Sequence, residues 1–269
     1  MFVHHMDPLQ PYFVLNTGVY HKFIPVNSPV AHFYQFTYTE KNPAVSGVVP
    51  DGAVDLILDT GRGLATISGP VESVERSPFL EGHTYFGVRF KLGVSAYYGD
   101  ILTSDLVGTS VPASDLIRRR SFDILADTPD FAQRIESMQD ILQDLLFSRD
   151  RHIPVLVKGI LECIFKCHGE VSVHELENRF FYSRRHLLRV FRQYMGMDIK
   201  TYCRIVRFQS VLSELNGGFP SQFTEVAQEH GYYDQTHFQK EFKKFALLTP
   251  GEYVKILREN KYQSRIHTC

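Results

Sequence analysis

The chain is 269 residues long with 43% hydrophobic residues, enough for one large domain or two of ordinary size with packed cores. Its longest apolar runs, such as residues 53–58, are short and broken by Asp55, far below the ~20 residues that a bilayer requires. The opening MFVHHMDPLQ has no basic segment leading into an apolar run, so no secretory leader is expected. Four cysteines, Cys163, Cys167, Cys203 and Cys269, are too sparse for a disulfide framework and fit a reducing cytoplasm. The net charge of −1 conceals a split: residues 1–150 carry 11 Lys and Arg against 18 Asp and Glu, and residues 151–269 carry 18 against 12. A net of −7 followed by +6 points to a C-terminal half that faces a polyanion.

From the N-terminus, residues 10–117 read as β-rich. Runs of β-branched and aromatic residues at 12–15, 32–39, 53–58, 64–67 and 84–90 alternate with Gly, Pro, Asn and Asp turn signals. Such punctuation predicts a barrel or sandwich. The pattern changes near Phe122. Phe131, Ile135, Met138, Ile141, Leu142, Leu145 and Leu146 recur at helical spacing, with Pro129 before them. This helical segment is expected to mediate dimerisation or relay a signal. A polar linker follows at Arg149–His152, and residues 151–167 form a second amphipathic helix whose face is Val155, Leu156, Ile160, Leu161, Ile164 and Phe165. The expected domains are 1–120 (β-rich and regulatory), 121–150 (helical linker) and 151–260 (all-α).

Residues 183–202 and 234–253 repeat one pattern at an offset of 51. SRRHLLRVFRQYMGMDIKTY aligns with DQTHFQKEFKKFALLTPGEY, placing His186 on His237, Leu187 on Phe238, Phe191 on Phe242, Tyr194 on Phe245 and Tyr202 on Tyr253. In the first copy Leu187, Val190, Phe191 and Tyr194 form the buried stripe, while Arg184, Arg185, Leu188, Arg189 and Arg192 lie opposite. Ser183 is the predicted N-cap, and residues 173–179 the bracing helix. In the second copy Asp234 is the N-cap and Gly231 marks the turn. There Phe238, Phe242 and Phe245 are buried, and Gln235, Thr236, Gln239, Lys240 and Lys243 are exposed. A short bracing helix before a polar-faced helix is helix-turn-helix logic. Arg and Lys match guanine O6/N7, Gln matches adenine N6/N7, and Leu188 offers apolar contact to a thymine methyl. Between the copies, Ile199–Leu215 reads as one helix of roughly 25 Å, a length that sets two recognition helices about one DNA turn apart. An ordinary helix bundle with solvated charged faces is the plainer reading, and two matched copies weigh against it.

The segments EL-x₆-SRRHLLRVFRQYMG and VAQEHGYYDQTHFQKEFKKF…TPGEY resemble the AraC/XylS transcriptional regulators over residues 153–258. The resemblance implies a seven-helix DNA-binding domain with base contacts from Arg185, Leu188, Arg189, Gln235, Thr236, Gln239 and Lys240. Phe180 stands where the first turn of the family usually has glycine, and Leu247 where a glycine commonly follows the second recognition helix. Residues 49–56 (VPDGAVDL) and 87–93 (GVRFKLG) resemble the PDG-x-VD and G-V-R-F-x-P-G motifs of sensor-type domains on some of these regulators, with Leu92 replacing the usual proline. That comparison implies a cupin-like β-barrel.

Asp51, Asp55 and Arg89 are either a charged cluster in a ligand pocket or a turn plus a structural ion pair; the structural reading is preferred. His4, His5, His21, His32 and His83 lack the H-x-H spacing of a cupin metal site, so no metal is expected. Cys163, Cys167 and His168 read as packing residues on an apolar helix face. The expected protein is a cytoplasmic, non-enzymatic activator or repressor without a cofactor. Its expected partners are double-stranded DNA, RNA polymerase, a small-molecule effector and a second copy of the chain. The alternative is a β-barrel small-molecule binder or enzyme whose helical tail serves assembly only.

Overall fold

The computed structural model describes residues 7–94, 97–98, 100–115, 119–147, 153–218 and 222–269. In chain order the elements are α1 (Pro11–Leu15), β1 (Tyr20–Phe23), β2 (Val30–Thr37), β3 (Gly47–Val48), β4 (Asp55–Asp59), β5 (Leu64–Ser68), β6 (Glu75–Arg76), β7 (Thr84–Phe90), β8 (Tyr97–Tyr98) and β9 (Ile101–Leu102). Then follow α2 (Thr103–Leu106), β10 (Ser110–Pro112), α3 (Arg119–Asp127), α4 (Phe131–Phe147), α5 (Val155–Lys166), α6 (Val173–Phe180), α7 (Arg184–Met195), α8 (Ile199–Gly217), α9 (Phe223–Glu229), α10 (Gln235–Ala246), α11 (Pro250–Glu259) and β11 (Ile266–Thr268). His4, His5 and the Arg149–His152 linker lie outside the described residues. No described helix is long and apolar enough to cross a membrane.

The N-terminal half is built on a seven-stranded sheet of order β10-β5-β4-β7-β2-β1-β11. The sheet does not close: β10 and β11 are its two edges and do not pair with each other. It is therefore an open β-rich layer rather than the expected barrel. Side chains alternate with the period of two that a two-faced sheet demands. Leu56 and Leu58 of β4, with Phe86, Val88 and Phe90 of β7, pack with Phe122, Leu125, Ile135, Met138 and Leu142 of α3 and α4. Ile135, Met138 and Leu142 of the apolar stripe are thus packed on the chain's own sheet, while the side chains of Leu145 and Leu146 lie outside the described residues. Arg134 of α4 adds hydrogen bonds to the Leu125 carbonyl at 3.0 Å and to Gln35 Oε1 of β2.

The opposite face carries Tyr20, Tyr34, Phe36, Ile57 and Tyr85, which join Tyr12, Phe13 and Phe79 in a core continuous with that of the helical half. Gly87 makes room here. It pairs directly with Tyr34 across the β2–β7 ladder, and a side-chain carbon at Gly87 would fall 2.1 Å from the Tyr34 ring. Tyr12–Leu15, read as a strand, is instead the helix α1. Pro11 opens its first turn, where a missing N–H costs nothing, and all five residues are buried. A half-exposed strand cannot bury every residue of such a run, and a short apolar run does not itself distinguish the two.

The last residues return to the sheet. β11 pairs in parallel with β1, Tyr20 opposite Ile266, and Arg265 Nη1 donates to the carbonyls of Leu15 at 2.7 Å and Thr17 at 2.9 Å. β1 and β11 are thus neighbours in one sheet although the helical half lies between them in sequence.

Candidate nucleic-acid interface

Two helix-turn-helix units, α6–α7 and α9–α10, flank the long α8. Each local structure has an identifiable cause. α6 starts in a capping box, with Ser172 Oγ accepting from Glu175 N while Glu175 accepts from Ser172 N at 2.7 Å. The predicted N-caps hold: Ser183 accepts from His186 N and Asp234 from His237 N. Such caps satisfy first-turn donors that would otherwise be orphaned. α11 opens with Pro250 at its first position and a Thr249–Glu252 capping box. The half-buried stripes also match, with one refinement. Leu187, Phe191 and Met195 are fully buried on α7, whereas Val190 and Tyr194 are only partly covered.

Opposite these stripes, Arg184, Arg185, Arg189 and Arg192 are exposed on α7, and Gln235, Thr236, Gln239, Lys240 and Lys243 on α10. Leu188 is half-buried and packs against the core, so less of it is free for a base than the sequence implied. Among the described contacts, Arg192 lies 3.7 Å from Asp198 with both side chains mostly exposed, a pairing worth little in water. Glu177 Oε1 accepts from Arg184 N at 2.6 Å and ties α6 to the start of α7.

The two turns are not copies. The left-handed residue of the first is Phe181 (φ 57), while Phe180 remains helical. Phe180 is needed there because its ring packs on Gly159 of α5, where an added carbon would sit 2.8 Å from it. In the second turn Gly231 takes the positive φ of 64. Gly196 and Leu247, 51 apart, both cap their recognition helices with φ of 72 and 58. Leu247 therefore carries a conformation that glycine adopts without steric cost.

Several contacts have no signal in a local reading. Glu241, at the position of Val190 in the repeat, is buried on α10 and pairs with Arg204 of α8 at 2.7 Å. The Arg204 guanidinium also lies 5.0 Å above the Phe245 ring, and together these fix α10 to α8. The N-terminal layer braces the same scaffold at three points. Gln209, fully buried on α8, accepts from Leu9 N at 2.7 Å and donates to Pro50 O at 2.8 Å and Leu9 O at 3.2 Å. Tyr12 donates to the Ala246 carbonyl at the end of α10. Gly196, ending α7, lies so close to α2 that an added carbon would meet Ser104 Cα at 2.8 Å.

Asp55 and Arg89 sit directly opposite on β4 and β7 and form a buried ion pair, Nη2 to Oδ2 at 2.5 Å and Nε to Oδ1 at 3.0 Å. Asp51 Oδ2 is 3.2 Å from Arg89 Nη1 and also accepts from Gln10 Nε2 at 2.8 Å. Burial, outweighing the nearby guanidinium, pushes Asp51 up to about 6. The structural ion pair is therefore present, and it also borders a space. Asp51 and Asp55 line a cavity of about 110 Å³ together with Phe13, Val48, Ile57 and Phe79. Of the described histidines, burial holds His32 neutral by driving its pKa well below the usual value, and His83 bonds Asp59 at 2.8 Å. Cys163 and Cys203 are buried, and burial pushes the Cys203 thiol up to about 12, which suits packing rather than thiolate chemistry.

Residues 176–256 match a family described as a helix-turn-helix domain, and residues 25–112 match a domain of unknown function (DUF6597). An uncharacterised HTH-type transcriptional regulator of Haemophilus influenzae is 29% identical over 116 residues, 43% of this chain. The match spans about 38% of that relative's length. Solved structures with similarity include the C-terminal domain of the response regulator AraT from Geobacillus stearothermophilus, at 20% identity and a TM-score of 0.36, covering 38% of this chain and 86% of that one. ToxT from Vibrio cholerae O395 aligns at 11% identity and 0.44 over 76% of this chain and 85% of its own. The DNA-binding domain of AdpA, solved with a target DNA, aligns at 20% and 0.37 over 40% and 96%. The C-terminal half is a helix-turn-helix domain. It holds two such units joined by one long helix.

Proposed function

We propose that the chain is a sequence-specific, DNA-binding transcriptional regulator whose α7 and α10 enter successive major-groove faces. The observation that carries this reading is the pair of capped helices α7 and α10, matched in scaffold and different in exposed chemistry. One presents Arg184, Arg185, Arg189 and Arg192, and the other Gln235, Thr236, Gln239, Lys240 and Lys243. α8, with 19 residues, is about 28 Å long at 1.5 Å per residue, close to the ~34 Å of one DNA turn once the flanking units are added. Arg185, Arg189, Gln235, Thr236, Gln239 and Lys240 are the base-reading candidates, with the half-buried Leu188 beside them, and Arg184, Arg192 and Lys243 the phosphate contacts.

In the same proposal residues 1–120 regulate, residues 151–260 bind DNA, and α3 and α4 stiffen the sheet between them. Control by a small effector at this layer belongs to the same proposal; the 110 Å³ cavity beside the Asp51–Asp55–Arg89 trio would have to widen to admit one, since ligand pockets measure about 300 Å³ or more. The three braces from that layer to α7, α8 and α10 supply a physical route from cavity to reading heads. RNA polymerase and a second copy of the chain complete the proposed partners, in the cytoplasm and without a catalytic step. The test is titration of full-length protein into labelled duplex DNA at two salt concentrations. A steep loss of affinity with salt is the expected result, because bound Lys and Arg displace counterions. Absence of binding at the lower salt would remove the proposal.

A further inference from the structure

We propose that Phe181, Tyr182 and Tyr233 are DNA contacts: an aromatic pad at the entry of each recognition helix that packs against the deoxyribose–phosphate backbone. The inference rests on the DNA-binding reading and adds an apolar contact to it that the polar faces do not predict.

Tyr182 and Tyr233 occupy the same place in the two units, each one residue before an N-cap, Ser183 and Asp234. Among the described residues of 153–269, five large apolar or aromatic side chains are exposed, and three of them lie in these turns. Phe181 is 91% exposed, Tyr182 47% and Tyr233 93%. Core packing does not account for them, because their neighbours already do that work. Phe180 fills the space above Gly159, and Tyr232 is buried with its ring 5.2 Å from Phe238. Phe181 in addition holds a left-handed backbone at φ 57, which costs a non-glycine residue stability. A strained, solvent-facing phenylalanine is retained against two penalties, and such residues concentrate at functional sites.

The surroundings identify the occupant. Each pad borders the N-terminal end of a recognition helix, where partial positive charge favours phosphate. The exposed Arg184 and Arg185 follow the first pad directly in the first turn of α7. The Tyr182 ring is held in place by stacking on His186, 4.7 Å between centroids and 15° between planes. A polyanion drawn to these helix ends brings sugar C–H groups against the rings, and a tyrosine hydroxyl donates to a phosphate oxygen.

The experiment uses full-length protein and a randomised pool of labelled duplexes of about 30 base pairs, three helical turns. It compares wild type, Phe181→Gly, Tyr233→Ser and the Arg185→Ala/Arg189→Ala double variant. Phe181→Gly is expected to melt at a higher temperature, since glycine relieves the left-handed strain, and yet to bind roughly three- to tenfold more weakly. Tyr233→Ser is expected to lose a similar factor with its salt dependence unchanged, because no charge is removed. Wild-type affinity in both aromatic variants, with the double Arg variant weakened, overturns the pad while leaving the DNA-binding reading intact. Loss of self-association in Tyr233→Ser with unchanged DNA affinity also overturns it, by assigning the surface to a second copy. Unchanged binding in the double Arg variant as well defeats the underlying reading itself.

Discussion

Replacing Gln209 by leucine tests whether the two halves act as one body. The glutamine is fully buried on α8 and makes three hydrogen bonds to the N-terminal segment, with Leu9 N, Leu9 O and Pro50 O. Leucine has similar bulk but offers no polar atom. Each lost bond removes about 1 kcal/mol net, and a buried group left unpaired costs about 1–3 kcal/mol. Leu9 is only partly buried, so water can serve its groups, whereas Pro50 is buried and its carbonyl is orphaned. The expected loss is therefore about 2–3 kcal/mol, and at about 2–4 °C per kcal/mol for a chain of this size the melting temperature falls by roughly 5–10 °C. Urea unfolding followed by tyrosine fluorescence measures it directly, since the chain has 14 tyrosines and no tryptophan. A Gln209→Leu protein within about 0.5 kcal/mol of wild type, the scatter of a neutral surface substitution, would refute the brace.

Asp51 makes a second prediction. Its folded pKa, pushed by burial up to about 6, exceeds the ~3.9 of an unfolded aspartate, so the native state binds the proton more tightly. Stability from this group is present below about pH 4 and is lost as pH rises towards about 6. Wild type should therefore lose stability relative to Asp51→Asn across that window. The exposed cap carboxylates Glu175 and Glu252 shift the opposite way, but they are common to both proteins and cancel in the difference. Parallel melting curves against pH would show that Asp51 is not so perturbed. Leu247→Gly should raise stability by about 0.5–1 kcal/mol, the left-handed penalty less the entropy that glycine adds to the unfolded chain. A drop in melting temperature would mean that the exposed Leu247 side chain contributes more than its backbone costs.

The helical half was legible because its information is local. Leu187, Phe191, Phe238, Phe242 and Phe245 fall at the helical period, and Ser183 and Asp234 mark the caps that the structure shows. The left-handed residue of the first turn is not legible from the sequence. Phe180 and Phe181 are adjacent and chemically identical, and only the packing of Phe180 on Gly159 decides which turns left-handed. In the β-rich half the strand at 84–90 was placed to the residue, and the Asp55–Arg89 pairing was anticipated as an ion pair. Tyr12–Leu15 is not decided by its sequence because four apolar residues cover either a strand or a single helical turn, and burial on all sides comes from distant elements. Sheet closure was also beyond local pattern, since it depends on whether β10 and the edge opposite it meet. The least visible features join residues about 200 apart. Gln209 looks like a polar interruption of an apolar helix until Leu9 and Pro50 are beside it, and β11 has no partner until the chain returns to Tyr20.

The central claim is that α7 and α10 read DNA, and its most direct test is the salt dependence of duplex binding by wild type and Arg185→Ala/Arg189→Ala. Each arginine that contacts a phosphate contributes close to one unit to the slope of log affinity against log salt, and one that reads a guanine contributes about 1–3 kcal/mol of discrimination. The account predicts a double variant that binds at least about tenfold more weakly, with a flatter slope or a relaxed sequence preference. Affinity, slope and preference all equal to wild type would contradict it.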